Sequence, residues 1–431
     1  MAITFRAALF MLASALVMGF LLPHLWAVWA ATGLVLLLIG IDVALAASVR
    51  KLRFSREGTN TVRLGGRAQV SLLVTNPSSR VLRGILRDAW PPSAGAESQR
   101  HRLAIPAGER RRVTTQLRPT RRGDRHAYRV TVRSLGPLGF AGRQGSHQVP
   151  WVVRALPPFE SRKHLPSRLA RLRELDGRAS VLVRGQGTEF DSLRDYVHGD
   201  DVRSIDWRAT ARRQAVVVRT WRPERDRHVL IVLDTGRTSA GRVGDGTRLD
   251  HALDAALLLS ALATRAGDRV DLLAYDRSVQ ADVERAGPQD VLSRFTSAMA
   301  GLEARLVETD HRGLVTAVSL RASQRSLVVL LTGLDAAVID EGLSPVLGPM
   351  LRRHEVVIAS VADPRIQELA AGRGSAEAVY GAAAAEQARS ERRRTTELLE
   401  RRGVTVVDSP PDRIAPDLAD TYLALKKAGR L

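Results

Sequence analysis

The 431-residue chain contains no cysteine. Disulfides, thiolate nucleophiles, zinc ribbons and iron–sulfur clusters are therefore excluded. Lysine is nearly absent too: Lys51, Lys163, Lys426 and Lys427 are the whole complement, so almost all of the 65 basic residues are arginine. No lysine completes a Gly-x-x-x-x-Gly-Lys phosphate loop, and neither His-Glu-x-x-His nor a Gly-x-Ser-x-Gly elbow occurs. Aromatic residues are only 4%. What is abundant is positive charge, a formal net +20 against 45 acids. Arginine makes forked contacts with carboxylates and phosphates, so part of this charge belongs in internal ion pairs. The excess suits a body lying against an anionic leaflet. Nucleic acid ranks below the membrane as a partner, because the arginines are spread along the chain and no binding motif accompanies them.

Two long apolar runs open the chain, Ala7 to Leu22 and Leu25 to Ser48, joined by Pro23-His24. Each approaches or exceeds the roughly 20 residues a helix needs to cross a bilayer. Arg6 precedes the first, and Arg50, Lys51, Arg53 and Arg56 follow the second. The positive-inside bias then predicts a two-helix transmembrane hairpin over residues 1–49, with both ends and all that follows on the cytoplasmic side. Asp42 is the one acid in these runs; near the end of the second, it reads as a carboxylate at headgroup level, with a functional role as the alternative. Ala44-Leu45-Ala46 resembles a signal-peptide cleavage site, but the apolar stretch far exceeds the roughly 7–15 residues of a signal core.

Residues 50–155 read as a β-sandwich of immunoglobulin-like type. Ala68, Val70, Leu72 and Val74 alternate with Gln69, Ser71 and Leu73, and Tyr128, Val130 and Val132 alternate with arginine and threonine. Gly65-Gly66, Asn76-Pro77, Pro106-Ala107-Gly108 and Gly136-Pro137 punctuate the strands. Residues 156–186 carry a weak helical pattern through Leu169, Leu172 and Leu175 and read as a connector. From 228 to 431, apolar strands (Val229–Leu233, Val270–Tyr275, Leu327–Leu331, Val356–Val361, Val404–Val407) alternate with helical patterns. That is the signal of a doubly wound α/β domain with a parallel sheet. Asp234, Asp276, Asp363 and Asp408 each follow a strand, at the sheet edge where such folds bind ligands. Asp363 and Asp408 read as capping or turn residues. Asp234, preceding a glycine-rich loop from Gly236 to Gly246, is the better functional candidate.

The most specific stretch is Gly187-Thr188-Glu189-Phe190-Asp191-Ser192-Leu193-Arg194-Asp195-Tyr196-Val197-His198-Gly199-Asp200-Asp201-Val202-Arg203-Ser204-Ile205-Asp206-Trp207, followed by Ala211-Arg212. It closely resembles the signature of the bacterial family called domain of unknown function fifty-eight. The order of paired apolar helices, β-region, signature (187–227) and α/β domain is similar as well. The resemblance implies a von Willebrand factor A-like fold for residues 228–431, location at the bacterial inner membrane, and association with MoxR-type AAA+ ATPases; no settled enzymatic activity goes with it. Von Willebrand A domains often hold Mg²⁺ through D-x-S-x-S and a later Thr and Asp. Here Asp234-Thr235-Gly236-Arg237-Thr238 keeps the first Asp and one hydroxyl, and Gly333 stands where a carboxylate is due. The expectation is no cofactor, with at most weak Mg²⁺ at a degenerate site of Asp234 and Thr238.

Within the signature, acids alternate with arginines, and Phe190, Leu193, Tyr196, Ile205 and Trp207 supply an apolar anchor. Glu189, Phe190, Arg194, Tyr196, Asp200, Arg203, Trp207 and Arg212 form either an ion-pair clasp onto the α/β domain or a partner-docking surface. Both readings stay open. The function expected is a membrane-anchored, non-enzymatic scaffold. The alternatives are a metal-dependent hydrolase using the sheet-edge acids, and a polyanion binder using Arg208, Arg212, Arg213, Arg219, Arg222, Arg225 and Arg227.

Overall fold

A computed structural model describes residues 2–21, 24–182, 189–222 and 227–431. Pro23, Gly187, Thr188 and Arg225, which figure in the sequence reading, lie outside them. The chain divides into two units, Met1–Pro158 and Phe159–Leu431.

In the first unit, the apolar runs form helices α1 (Phe5–Leu21) and α2 (Leu25–Leu45). Trp26–Leu45 is long and apolar enough to cross a membrane; the apolar part of α1 is the shorter Phe5–Met18. A short strand β1 (Ala2–Ile3) precedes α1. After α2 come β2 (Arg53–Gly58), β3 (Thr61–Arg63), β4 (Ala68–Thr75), β5 (Leu82–Ala89), β6 (Arg100–Ile105), β7 (Arg110–Leu117), β8 (Gly123–Leu135) and β9 (Ala141–Leu156). They make two sheets, one ordered β1-β9-β8-β5-β6 with β3 also on β9, the other β2-β4-β7. The period-2 alternation read from the sequence places Leu72 and Val74 of one sheet and Leu82, Leu86, Val130 and Val132 of the other in one core.

One expectation is revised here. Asp42 does not face the headgroups: it is fully buried, and its oxygens accept the N–H groups of Leu138, Phe140 and Ala141 at 2.8, 2.6 and 3.0 Å. A buried carboxylate needs such donors, and the β8–β9 turn supplies them. Arg56 pairs with Asp88 at 2.6 Å, both side chains being buried, and lies over the Trp90 ring. That ion pair joins β2 to β5, and so one sheet to the other.

The second unit begins with α3 (Leu165–Leu182). The connector reading of this segment is corrected: Leu172 is buried in the α/β core, with Leu165, Leu169 and Leu175 packed beside it. Next come β10 (Glu189–Asp195), α4 (Trp207–Arg213) and β11 (Val217–Arg222). The α/β part follows as β12 (His228–Asp234), a short β13 (Arg242–Val243) and β14 (Gly246–Thr247) pair, α5 (Arg248–Arg265), β15 (Arg269–Tyr275), β16 (Val279–Val283), α6 (Val291–Ala300), α7 (His311–Arg321), β17 (Ser326–Leu331), α8 (Leu347–Arg353), β18 (Glu355–Val361), α9 (Pro364–Ala370), α10 (Ala376–Arg401), β19 (Thr405–Ser409) and α11 (Ile414–Lys427).

The main sheet is ordered β16-β15-β12-β17-β18-β19 and is parallel except for the edge strand β16. Strand β12 is buried on both faces: Val229, Ile231 and Leu233 meet α5, α6 and α11, while Leu230 and Val232 meet α7 and α8. Such two-sided burial is why these strands read as continuous apolar runs. The chain starts at β12, winds out to β15 and β16, then crosses to β17. The direction therefore reverses at β12, and the loops after β12 and β17 share the switch point where open α/β sheets offer a crevice.

Candidate functional site

Two places carry the residues singled out by sequence. The first is the switch point. Asp234 ends β12 and is only 2% exposed. Its Oδ1 accepts the Gly236 N–H at 2.8 Å and the Thr309 hydroxyl at 2.6 Å; its Oδ2 accepts the hydroxyls of Thr238 at 3.1 Å and Thr332 at 2.5 Å. Thr332 follows β17 and Thr309 precedes α7, so one carboxylate ties together three loops. Sequence reasoning missed Thr309; the only available signal was a Thr-Asp pair, Thr309-Asp310, just before a helix that Asp310 caps. Nearby Asp276 is also buried. Burial pushes its carboxyl up, but the N–H groups of Arg277 and Ser278 and the charge of Arg305 outweigh that and hold it below the usual range.

Two positions of the metal-binding pattern are taken up by neighbouring side chains. A Cβ built at Gly236, where a serine ligand is due, would collide with the Thr309 hydroxyl. One built at Gly333, where the second carboxylate is due, would sit 3.0 Å from the Thr238 Cβ. The ligand positions are thus filled by neighbouring threonines, whose hydroxyl protons all point at Asp234. Arg248 approaches the Thr238 carbonyl at 3.4 Å and brings positive charge. Arg237 is exposed and pairs with Glu308. Among the described residues, no group of three or more His, Asp or Glu is arranged to hold a metal.

The other sheet-edge acids lie apart from this cluster in their bonding. Asp363 caps α9 through the Arg365 N–H at 3.0 Å, as its Asp-Pro context implies. Asp408 does not cap. It forms a two-pronged pair with Arg392, both contacts 2.6 Å, and Arg392 also donates to Ser360.

The second place is the signature. Strands β10 and β11 pair antiparallel, with a bulge between Phe190 and Ser192. Arg194 grips Asp200 with both guanidinium arms at 2.8 and 2.6 Å, while Asp200 also accepts the Val197 N–H. Arg194 beside it holds the Asp200 carboxyl below its ordinary range. Gly199, at φ +106°, makes the turn between them. Asp201 caps a short 3-10 turn. Asp206 caps α4 through the N–H groups of Arg208 and Ala209, both 3.0 Å, and takes Arg219 at 2.8 Å; the Ala209 N–H, then Arg219, lower its carboxyl. Tyr196 is half-buried and donates its N–H to the Val216 carbonyl at 2.8 Å. The backbones of Glu189 and Phe190 pair with Arg222 and Trp221; the side chains of these four lie outside the described residues.

The ion pairs Arg194–Asp200 and Arg219–Asp206 therefore close within the signature itself. Trp207, expected in the apolar anchor, stands 69% exposed. It is the first residue of α4, directly after the Asp206 cap. Val197 and Val202 are exposed in the same way. Arg203, Arg208, Arg212 and Arg213 are exposed and make no side-chain hydrogen bond or ion pair among the described residues. The segment is thus a frame of satisfied acids that presents apolar side chains and uncommitted cations.

Comparison with known proteins gives three findings. A family described as "Protein of unknown function DUF58" matches residues 192–409. Uncharacterized proteins of Mycobacterium tuberculosis (Rv1480) and Mycobacterium bovis (Mb1516) are each 28% identical over 200 residues, which covers 44% of this chain and 59% of theirs. The match thus spans less than two thirds of those relatives. Among solved structures, the CARDB domain of a Pyrococcus furiosus protein (14% identity, 25% of this chain and 88% of that one, TM-score 0.19) and a Listeria innocua β-glucosidase (15%, 23% and 16%, TM-score 0.16) are similar only at a level that carries no argument.

Proposed function

Because this chain belongs to the family of proteins of unknown function DUF58, its role must be read from its surfaces, and we propose that it is a membrane-anchored, non-enzymatic adaptor. In this reading α1 and α2 cross the bacterial inner membrane as a hairpin, and all that follows faces the cytoplasm. Retention of the anchor, rather than its removal as a signal sequence, is supported by what cleavage near Ala47 would strip away: Asp42, buried and accepting three N–H groups around the β8–β9 turn. Residues 50–155 serve as an immunoglobulin-like spacer, and residues 228–431, similar to a von Willebrand A domain, carry the signature of residues 187–227.

The observation that carries the adaptor reading is the exposure of Trp207 beside Val202 and the uncommitted Arg203, Arg208 and Arg212. Tryptophan and arginine are the residues most often dominant in protein interfaces. An acidic partner surface with an apolar centre matches them, and the family resemblance directs attention to a MoxR-type AAA+ ATPase. Reciprocal pull-down from solubilised membranes tests this: the ATPase is recovered with the wild type and lost with Trp207→Ala. Failure to recover it from cells that encode one overturns the partner assignment. The polyanion reading keeps one supporting observation, since Arg208, Arg212 and Arg213 have no acid partner among the described residues, whereas Arg219 is committed to Asp206. Strongly salt-dependent DNA retention would favour it.

A further inference from the structure

We propose that the β8–β9 turn, Gly136-Pro137-Leu138-Gly139-Phe140, is a wedge inserted into the lipid leaflet beside α1 and α2. This rests on the membrane reading above and extends it to a part of the chain that no apolar run marks. Three observations within the first unit carry it.

The first is depth. The Phe10 and Phe140 rings lie 5.3 Å apart, and Phe140 and Ala141 pack with Ala7, Val35 and Ile39. Val35 is seven residues back from Asp42, about 10 Å along a helix at about 1.5 Å per residue. The turn therefore runs alongside the apolar helices rather than stopping at their ends. The second is composition. The turn has no charged or hydroxyl side chain, whereas the turns near Arg80, Glu109 and Arg121 carry charge. Leu138 is 44% exposed, and Ile3 and Phe5, on either side of the Thr4 that bonds the turn, are 60% and 81% exposed. These exposed groups continue the apolar surface of the helices, which identifies lipid as the occupant.

The third is backbone accounting. Non-helical backbone at bilayer depth is tolerated only where protein satisfies it. Gly136 N–H donates to the Ala141 carbonyl at 3.0 Å and Gly139 N–H to the Gly136 carbonyl at 3.2 Å. The N–H groups of Leu138, Phe140 and Ala141 go to Asp42, and Pro137 has none. The Thr4 hydroxyl donates to the Gly139 carbonyl at 2.7 Å, and the Thr4 N–H to the Phe140 carbonyl at 2.9 Å. Every donor of the turn is paired without water. This also explains an acid in an apolar helix: Asp42 satisfies the turn and the turn satisfies Asp42. The fit is close, since a Cβ at Gly136 would strike the Asp42 carboxylate. Where α2 ends, Arg143 Nε donates to the Val43 carbonyl at 2.9 Å and Arg80 to the Ala44 carbonyl, capping the helix just below the turn.

The absence of cysteine makes the test direct. Full-length Leu138→Cys, Leu36→Cys (exposed on α2) and Ser98→Cys (exposed in the β-region) variants are nitroxide-labelled in liposomes of anionic and zwitterionic phospholipid. Accessibility to oxygen and to a water-soluble nickel complex is then measured. The wedge predicts that position 138 matches position 36, favouring oxygen, while position 98 favours nickel. If 138 favours nickel while 36 favours oxygen, the wedge is wrong and the anchor stands. If 138 is shielded from both reagents, another protein surface covers it and the wedge is wrong. If 36 also favours nickel, the membrane reading itself fails and takes the wedge with it.

Discussion

The switch point around Asp234 and the signature around Trp207 use their acids in opposite ways. At the switch point a single buried carboxylate collects neutral donors, and nothing is left over: three threonine hydroxyls and one backbone N–H fill its oxygens. In the signature the carboxylates sit nearer the surface and take arginines and helix ends, while four other arginines have no partner among the described residues. The first arrangement turns its hydrogen bonds inward and ties three loops together. The second turns an indole and several guanidinium groups outward, which is what the adaptor proposal rests on.

Four measurements break or sharpen that contrast. Asp234→Ala leaves the buried Thr332 hydroxyl, the half-buried Thr238 and Thr309 hydroxyls and an N–H without an acceptor, and the loss expected is about 2–4 kcal/mol of unfolding free energy in urea. A smaller effect comes from the opposite end of the same sheet, where Asp271 on β15 is buried beneath His228 at 3.0 Å and Arg269 at 2.6 Å. Burial raises its carboxyl, but hydrogen bonds from His228, Arg269 and the Arg285 N–H lower it to about 2 from 3.8. A depressed carboxyl contributes stability that is complete above its unfolded value and is lost as pH falls through the folded one. About 2 kcal/mol should therefore disappear between about pH 4 and pH 2. Acid titration of the melting temperature should show the step, and Asp271→Asn should remove it.

Asp206→Ala acts more locally. It removes the cap of α4 and the partner of Arg219, so amide exchange should accelerate at Ala209 and through α4 while the main sheet stays protected. Unchanged exchange would mean the frame does not depend on its acids. Trp207→Ala should have the least effect on folding, within about 0.5 kcal/mol, because the indole is mostly in water. Its effect belongs to partner capture. A large drop in melting would return Trp207 to the anchor role and favour the clasp.

Legibility followed sequence distance. Four of the parallel strands, β12, β15, β17 and β18, were readable because burial on both faces makes each a continuous apolar run, as in Val229–Leu233 and Leu327–Leu331. The edge strand β16 was not, since Val279, Gln280, Ala281 and Asp282 face too much water to form such a run. The Asp363 cap was local and therefore visible. Asp42 was noticed as an oddity, but its partners are backbone N–H groups 96 to 99 residues away, and backbone has no sequence signature. Thr309 was missed for the same reason, lying 75 residues from Asp234 in an unremarkable loop. Trp207 misled because an apolar residue in a patterned segment reads as core, whereas the first position of a capped helix faces outward here.

The bond from Thr332 to Asp234 spans 98 residues, and this has a kinetic consequence. Contacts so far apart in sequence are entropically slow to close. A nascent chain that has emerged only through β16 can pair β12 with β15, but it has no β17 to complete the central strand and no Thr332 to fasten its end. The sheet must therefore wait, half-edged, for later synthesis. Truncations ending before residue 332 should therefore leave the β12 edge bare and aggregate, which light scattering would show.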